Sequence, residues 1–344
     1  MNNISAPFLS VIIPCCNSRN TIERLLDSII RQSFSDMEVI IQDDFSVDNF
    51  MELVEPYKDK LNIKYFKNKS REVHCPGNTR IDGLNNATGE WVTFIDHDDL
   101  FEDNVFIEFK KCIEFNNEKY LVVSDFSEYN PETNTYRDFN YELGSFWLHG
   151  KFYNRAFLKK YNIQFKEDLV THEDHYFNQL VFGYLGILEI AYSILAMKTY
   201  IWIYDRNSTG KKLCYTDENG LCFIDRYYGE YISSVSEPLF MLYEKYPEKK
   251  NRILIKMSHI AVYAYFYYQS LYYRNNCSDY PPNKVIYGNY IRRIKSELNV
   301  SADDIIKIVY SDHESYNHMR DTVQDTCGAM IEYISFDGFI RQFI

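Results

Sequence analysis

Hydrophobic positions along the first hundred residues switch repeatedly between two periods. Phe8-Leu9-Ser10-Val11-Ile12-Ile13 is a near-continuous apolar run, the pattern of a strand buried on both faces. Ile22, Leu25, Leu26, Ile29 and Ile30 then recur at helical spacing, with Asn20 or Thr21 placed to cap the helix they predict. Strands are predicted over 38–42, 62–66, 91–95 and 120–124. Helices are predicted over 77–87, with Gly89 as its stop, and over 105–115. Strand–helix alternation of this kind predicts an α/β fold, a mostly parallel sheet flanked by helices.

From Phe223 onward the pattern is helical, as over 256–273, with strand signal returning only over 330–336. The boundary is expected between 205 and 222, giving a nucleotide-binding and catalytic domain over 1–210 and a smaller, mainly helical region over 211–344. Leu180 to Tyr204 is apolar enough to suggest a membrane span. It carries Glu189 and Lys198, which a bilayer interior penalises, so a buried helix followed by a strand is expected instead.

The turn after the first strand, Pro14-Cys15-Cys16-Asn17-Ser18, has no glycine. A dinucleotide fold needs a G-x-G-x-x-G turn here to bring the backbone against a pyrophosphate, so nicotinamide and flavin enzymes are disfavoured. A net charge of −12 argues against non-specific nucleic-acid binding, and a nucleic acid acceptor is not favoured. None of the eight cysteines forms a CxxC pair, and no basic-then-apolar leader is evident at the N-terminus. Reduced thiols and a cytoplasmic location are therefore expected. The 31 tyrosines suit surfaces that stack on sugars or meet another subunit, and a homo-oligomer through the C-terminal region is one expectation.

The candidate chemistry lies at the ends of the predicted strands. Asp96-His97-Asp98-Asp99 follows one strand directly, and Asp43-Asp44 ends another. Carboxylates crowded this closely repel unless a cation sits among them, and Asp96 with Asp98 can hold Mg²⁺ or Mn²⁺ through oxygen ligands. Arg80, just before the Asp96 strand, can pair with a diphosphate or with these acids. His97, His172 and His175 lie among the acids and are read as solvent-facing or supporting groups.

Taken in order, Val11 to Asn17 (VIIP-x-x-N), Ile40 to Asp48 (IIxDDxSxD), Gly77 to Asp99 and His172 to Asn178 (HEDHYFN) resemble the family 2 glycosyltransferases of the GT-A fold. Gly150 to Arg155 and Tyr204 to Thr209 are similar to the segments that flank the E-D pair in that family, and the likeness spans residues 7 to 210. The resemblance implies an inverting transferase that moves a sugar from a nucleoside diphosphate, UDP-linked by family habit, to an acceptor hydroxyl of a glycan or glycan-containing polymer. It assigns Asp174 as the catalytic base. Pro14, Cys16, Asn17, Asp43, Asp44, Arg80, Asp96 and His97 become donor contacts. Asp98, with Asp96, becomes the metal ligand, and the cofactor is Mn²⁺ or Mg²⁺. His149, Lys151, Glu173, Arg206 and Ser208 are candidate contacts to the diphosphate or acceptor, with Lys151, Arg206, Ser208 and Lys211 as a flap. The sequence departs from the family pattern at Cys16, at Phe45 (usually Gly) and at Ile81 (usually Asn), all on the donor side. A nucleotidyltransferase with a related core and a non-catalytic carbohydrate-binding module remain the alternatives.

Overall fold

The computed structural model describes residues 6–68, 74–142, 146–167, 169–205, 223–275, 281–327 and 334–344. The chain divides into two compact units, Met1–Ser208 and Thr209–Ile344.

In the first unit the apolar runs become strands and the periodic stripes become helices. The elements in order are β1 (Leu9–Cys15), α1 (Ile22–Arg31), β2 (Met37–Asp43), α2 (Met51–Val54), β3 (Ile63–Lys67), α3 (Pro76–Asn86), β4 (Trp91–Phe94), β5 (Leu100–Phe101), α4 (Val105–Asn116), β6 (Leu121–Asn130), β7 (Thr135–Phe139), β8 (Lys151–Asn154), α5 (Arg155–Tyr161), α6 (Glu173–Ile187) and β9 (Ser193–Ile203). Every residue of β1 and β2 is buried, as continuous apolar strands require.

The strands form one sheet in the order β3-β2-β1-β4-β8-β6-β9-β5, with β7 hydrogen-bonded to β6. β3, β2, β1 and β4 run parallel. Beyond them β8 is antiparallel to both β4 and β6. β6 and β9 are parallel, with a register break around Asp125. The chain leaves β1 toward β2 on one side and returns through β3 and α3 to β4 on the other. The crevice past the carboxyl ends of β1 and β4 is thus the switch point at which α/β sheets bind ligands.

Two glycines let α3 and its exit pack this closely. A Cβ on Gly83 would come within 2.6 Å of Ile12 Cγ2, and one on Gly89 within 2.7 Å of the Ser10 backbone nitrogen. Gly89 is therefore not the helix stop the sequence suggests. Its N–H donates to Ser10 Oγ at 2.9 Å, and α3 ends earlier, where Ala87 turns extended. Thr21 does precede α1, but its side chain makes no capping bond to the helix.

The second unit is helical: α7 (Phe223–Lys245), α8 (Lys250–Asn275), α9 (Pro281–Leu298), α10 (Ala302–Ser311), α11 (His313–Cys327) and α12 (Phe336–Arg341). The strand expected over 330–336 lies mostly outside the described residues, and its last residue, Phe336, begins α12. Part of the tyrosine excess is core rather than surface. Tyr265, Tyr287 and Tyr290 are buried, and Tyr290 donates its hydroxyl to the Met257 carbonyl at 2.6 Å, which satisfies its polar tip. Among the described residues no helix is long and apolar enough to cross a membrane.

Candidate active site

The donor side is built from the loops after β1 and β2. Pro14 is buried within β1 opposite Gln42, and Cys16 and Asn17 are the first exposed residues beyond that strand. Asn17 ties the two loops together. Its N–H donates to Ser46 Oγ, and its Oδ1 accepts from the Val47 N–H, each at 2.9 Å.

Asp43, grouped with the donor contacts from sequence, turns inward instead. It is 2% exposed, and its carboxylate accepts from Tyr65 OH at 2.6 Å and from the Ser46 N–H at 2.9 Å. Asp44 lies one residue past β2, and its side chain is 11% exposed. Asp44 takes both its contacts on Oδ1, from Asn68 Nδ2 at 3.0 Å and beside His74 Nδ1 at 2.9 Å. Asn68 also donates to Thr79 Oγ1 at 2.9 Å, which couples Asp44 to the first turns of α3.

Arg80, the next residue of α3, is 5% exposed and joins two other acids. Its Nη2 donates to Asp96 at 2.6 Å and its Nη1 to Glu173 at 2.5 Å. One guanidinium therefore brings the end of β4 against the start of α6. Burial alone would raise the Asp96 pKa, but Arg80, with His149 and His97, holds it below the ordinary carboxylate value. Asp98 lies on the other side of that balance. Burial and the neighbouring Asp96 charge push it upward against the pull of His97. Asp99 is buried and accepts from Tyr200 OH and from the Ile203 N–H, fastening the acid loop to β9. His97 is fixed by Thr21 Oγ1, 2.8 Å from its Nδ1.

At the first turn of α6, Asp174 Oδ1 accepts from the His175 N–H and lies 2.8 Å from His175 Nδ1. Burial by itself would raise the Asp174 pKa, yet His175, His172 and Arg80 hold it far below the usual range, so it stays ionised. Glu173 carries the opposite burden. Burial, with Asp174 adjoining and despite Arg80, pushes it up to about 7. Glu173 is thus a strut on Arg80, not an open substrate contact.

Lys151 is likewise no flap residue. It is 1% exposed on β8, its Nζ donates to the Trp147 carbonyl at 2.7 Å, and burial lowers it to about 7. Asn178, one helical turn past Asp174, donates to the Phe146 and Trp147 carbonyls and so fixes the segment that carries His149. Arg206, Ser208 and Lys211 lie outside the described residues.

Three of the four predicted acids are thereby assembled around one helix turn: Asp44 through Asn68 and Thr79, Asp96 through Arg80, and Asp174 beside Arg80's other partner. Asp98 is one residue removed from Asp96. Among the described residues no three His, Cys, Asp or Glu side chains are arranged to hold a metal. Sequence reasoning missed Asn68, Thr79, Tyr200 and Asn178. Thr79 sits inside the Gly77 to Asp99 stretch and Asn178 ends the HEDHYFN motif, so both were accessible, whereas Asn68 and Tyr200 are single polar residues with no local pattern.

Residues 10–169 match the family profile described as Glycosyl transferase family 2. That stretch of the chain is similar to family 2 glycosyltransferases. Over 212 residues it is 31% identical to the poly(ribitol-phosphate) beta-N-acetylglucosaminyltransferase TarS of Staphylococcus aureus, covering 57% of this chain and 35% of that protein. Over 94 residues it is 43% identical to the GalNAc(5)-diNAcBac-PP-undecaprenol beta-1,3-glucosyltransferase of Campylobacter jejuni, covering 27% of this chain and 30% of that one. The chain thus spans about a third of the length of these curated relatives. The fold is similar to that of S. aureus TarS 1-349 crystallised with UDP-GlcNAc, with a TM-score of 0.61 and 17% identity over 95% of each chain. The α/β architecture of the domain is therefore GT-A.

Proposed function

We propose that this chain transfers a sugar from a UDP-linked donor to a hydroxyl of a glycan or polyol polymer, with inversion and with Asp174 as general base. The observation that carries the reading is the Arg80 bridge, which joins Asp96, just past the end of β4, to Glu173, the neighbour of Asp174. The family profile match supports transfer, the TarS complex supports a UDP donor, and the relative named for poly(ribitol-phosphate) supports a polymer acceptor.

The chemistry divides among the residues as follows. Asp44 offers its second carboxylate oxygen, Oδ2, to the N–H of a nucleobase. Asp174, ionised and oriented by His175, accepts the proton of the attacking hydroxyl, a role typically worth about 10²–10⁴-fold. Glu173 holds Arg80, and Arg80 holds Asp96, so the end of β4 and the start of α6 keep their spacing. A single carboxylate at the attacking face requires direct displacement, which inverts the anomeric centre; a retaining glycosidase would need two carboxylates flanking the bond.

The donor set fits a hard divalent cation. Asp98 and Asp96 would hold the ion, and Mg²⁺ or Mn²⁺ commonly binds through only one or two carboxylates. When bound, such an ion offsets the negative charge on the departing diphosphate.

The test is release of UDP from UDP-GlcNAc and other UDP-sugars, with and without Mn²⁺ or Mg²⁺. Slow release that depends on the metal and accelerates with a polyol or glycan acceptor is expected. Failure to bind any nucleotide sugar would overturn the reading in favour of a carbohydrate-binding module.

A further inference from the structure

Between the acid loop and the start of α6 the domain places a histidine that the proposed mechanism does not use. His149 lies among four aromatic rings, with centroids 4.5 Å away at Tyr200, 5.0 Å at Phe126, 5.5 Å at Trp202 and 6.1 Å at Trp147. The residue as a whole is half-buried, but its Nδ1 is fully enclosed and has no hydrogen-bond partner. A neutral imidazole carries one N–H and one lone pair. An enclosed N–H without an acceptor is the rarer and costlier orphan, so the proton belongs on Nε2 and the bare lone pair on Nδ1.

Position decides what that N–H can meet. His149 packs on Tyr200, whose hydroxyl accepts the Asp96 N–H at 3.4 Å, and Phe146 of the same segment stacks on His175, the neighbour of Asp174, with ring centroids 5.7 Å apart. In the proposed reaction Asp96 lies on the leaving-group side and Asp174 on the attacking side. In an in-line displacement the group between those two is the transferred sugar. Resting on that reading, we infer that His149 is a donor-sugar contact whose Nε2–H donates to an oxygen of the transferred hexose, oriented by Tyr200 and Trp202. Burial also lowers its pKa to about 4, against the pull of the two acids, so the ring is a neutral donor at ordinary pH.

The discriminating variants are His149→Gln, whose amide nitrogen falls near Nε2, His149→Asn, whose amide falls near Nδ1, and His149→Phe, which keeps the aromatic packing. Each is measured for melting temperature, for UDP affinity and for kcat/KM with UDP-GlcNAc. UDP affinity is expected to stay within about 2-fold in all three. His149→Asn and His149→Phe should lose about 5- to 10-fold in kcat/KM, the scale of one neutral hydrogen bond, and His149→Gln should recover most of it. If His149→Phe proves unstable, the Gln–Asn difference alone carries the test. Equal kcat/KM for the Gln and Asn variants, or an equal loss of affinity for UDP and UDP-GlcNAc, overturns the assignment. Wild-type protein that turns over normally beside an indifferent variant sinks only this inference, whereas wild-type protein that binds neither ligand sinks the transferase reading as well.

Discussion

Two tandem acid pairs belong to the candidate site, Asp43-Asp44 at the end of β2 and Glu173-Asp174 at the start of α6, and they are held differently. In each, the first acid is buried on its partners and the second is the more exposed of the two. Asp43 is held by neutral donors, a tyrosine hydroxyl and a backbone N–H. Glu173 is held by a buried guanidinium that it shares with Asp96. The donor-side pair is therefore a rigid frame whose neighbours only shape a turn. The attacking-side pair is charge-coupled, so that a change at Glu173 or Arg80 reaches both Asp96 and Asp174. Side-chain exposure follows the same division, 23% for Asp174 against 11% for Glu173.

The sharpest way to break this symmetry is Asp174→Asn. The variant should retain UDP-sugar binding and melt within a degree or two of wild type, while transfer falls by about 10²–10⁴-fold. Near-normal steady-state transfer would remove Asp174 from the chemistry. Next in size is Arg80→Ala, which leaves Glu173 buried without its cation and Asp96 without its partner. Loss of one partner from a buried ion pair typically costs about 3–5 kcal/mol, read from the denaturant midpoint. An Arg80→Ala protein as stable as wild type would show that the bridge does not hold the end of β4 to the start of α6. Smallest is Asp43→Ala, which strands the Tyr65 hydroxyl and the Ser46 N–H. It should cost about 1–3 kcal/mol in unfolding experiments, with a smaller effect on kcat than on donor KM. A kcat loss matching that of Asp174→Asn would mean the two pairs are not divided as described.

Much of this site was legible in the sequence because its acids stand at strand ends, and a strand end is a local property. Asp44, Asp96 and Asp98 follow apolar runs directly, so their place at the carboxyl edge of the sheet needed no tertiary information. Lys151 and Glu173 were misjudged for the opposite reason. A lysine in a loop-like stretch reads as a solvated or phosphate-binding cation. Only the insertion of β8 antiparallel between β4 and β6 buries Lys151 and turns its ammonium onto the Trp147 carbonyl. β8 itself is four residues long, too short for its alternation to stand out.

What the chain determined by itself was the alternation of periods, hence the layers of the fold, and the order in which its acids reach one edge of the sheet. Which acid of each pair stays the more exposed, that Arg80 closes on Asp96 and Glu173 together, and that His149 loses one ring nitrogen to an aromatic enclosure were decided only when distant segments packed. Those outcomes depend on contacts between residues 16 to 93 positions apart, whose energies come from burial and pairing in the assembled interior and leave no trace in local spacing.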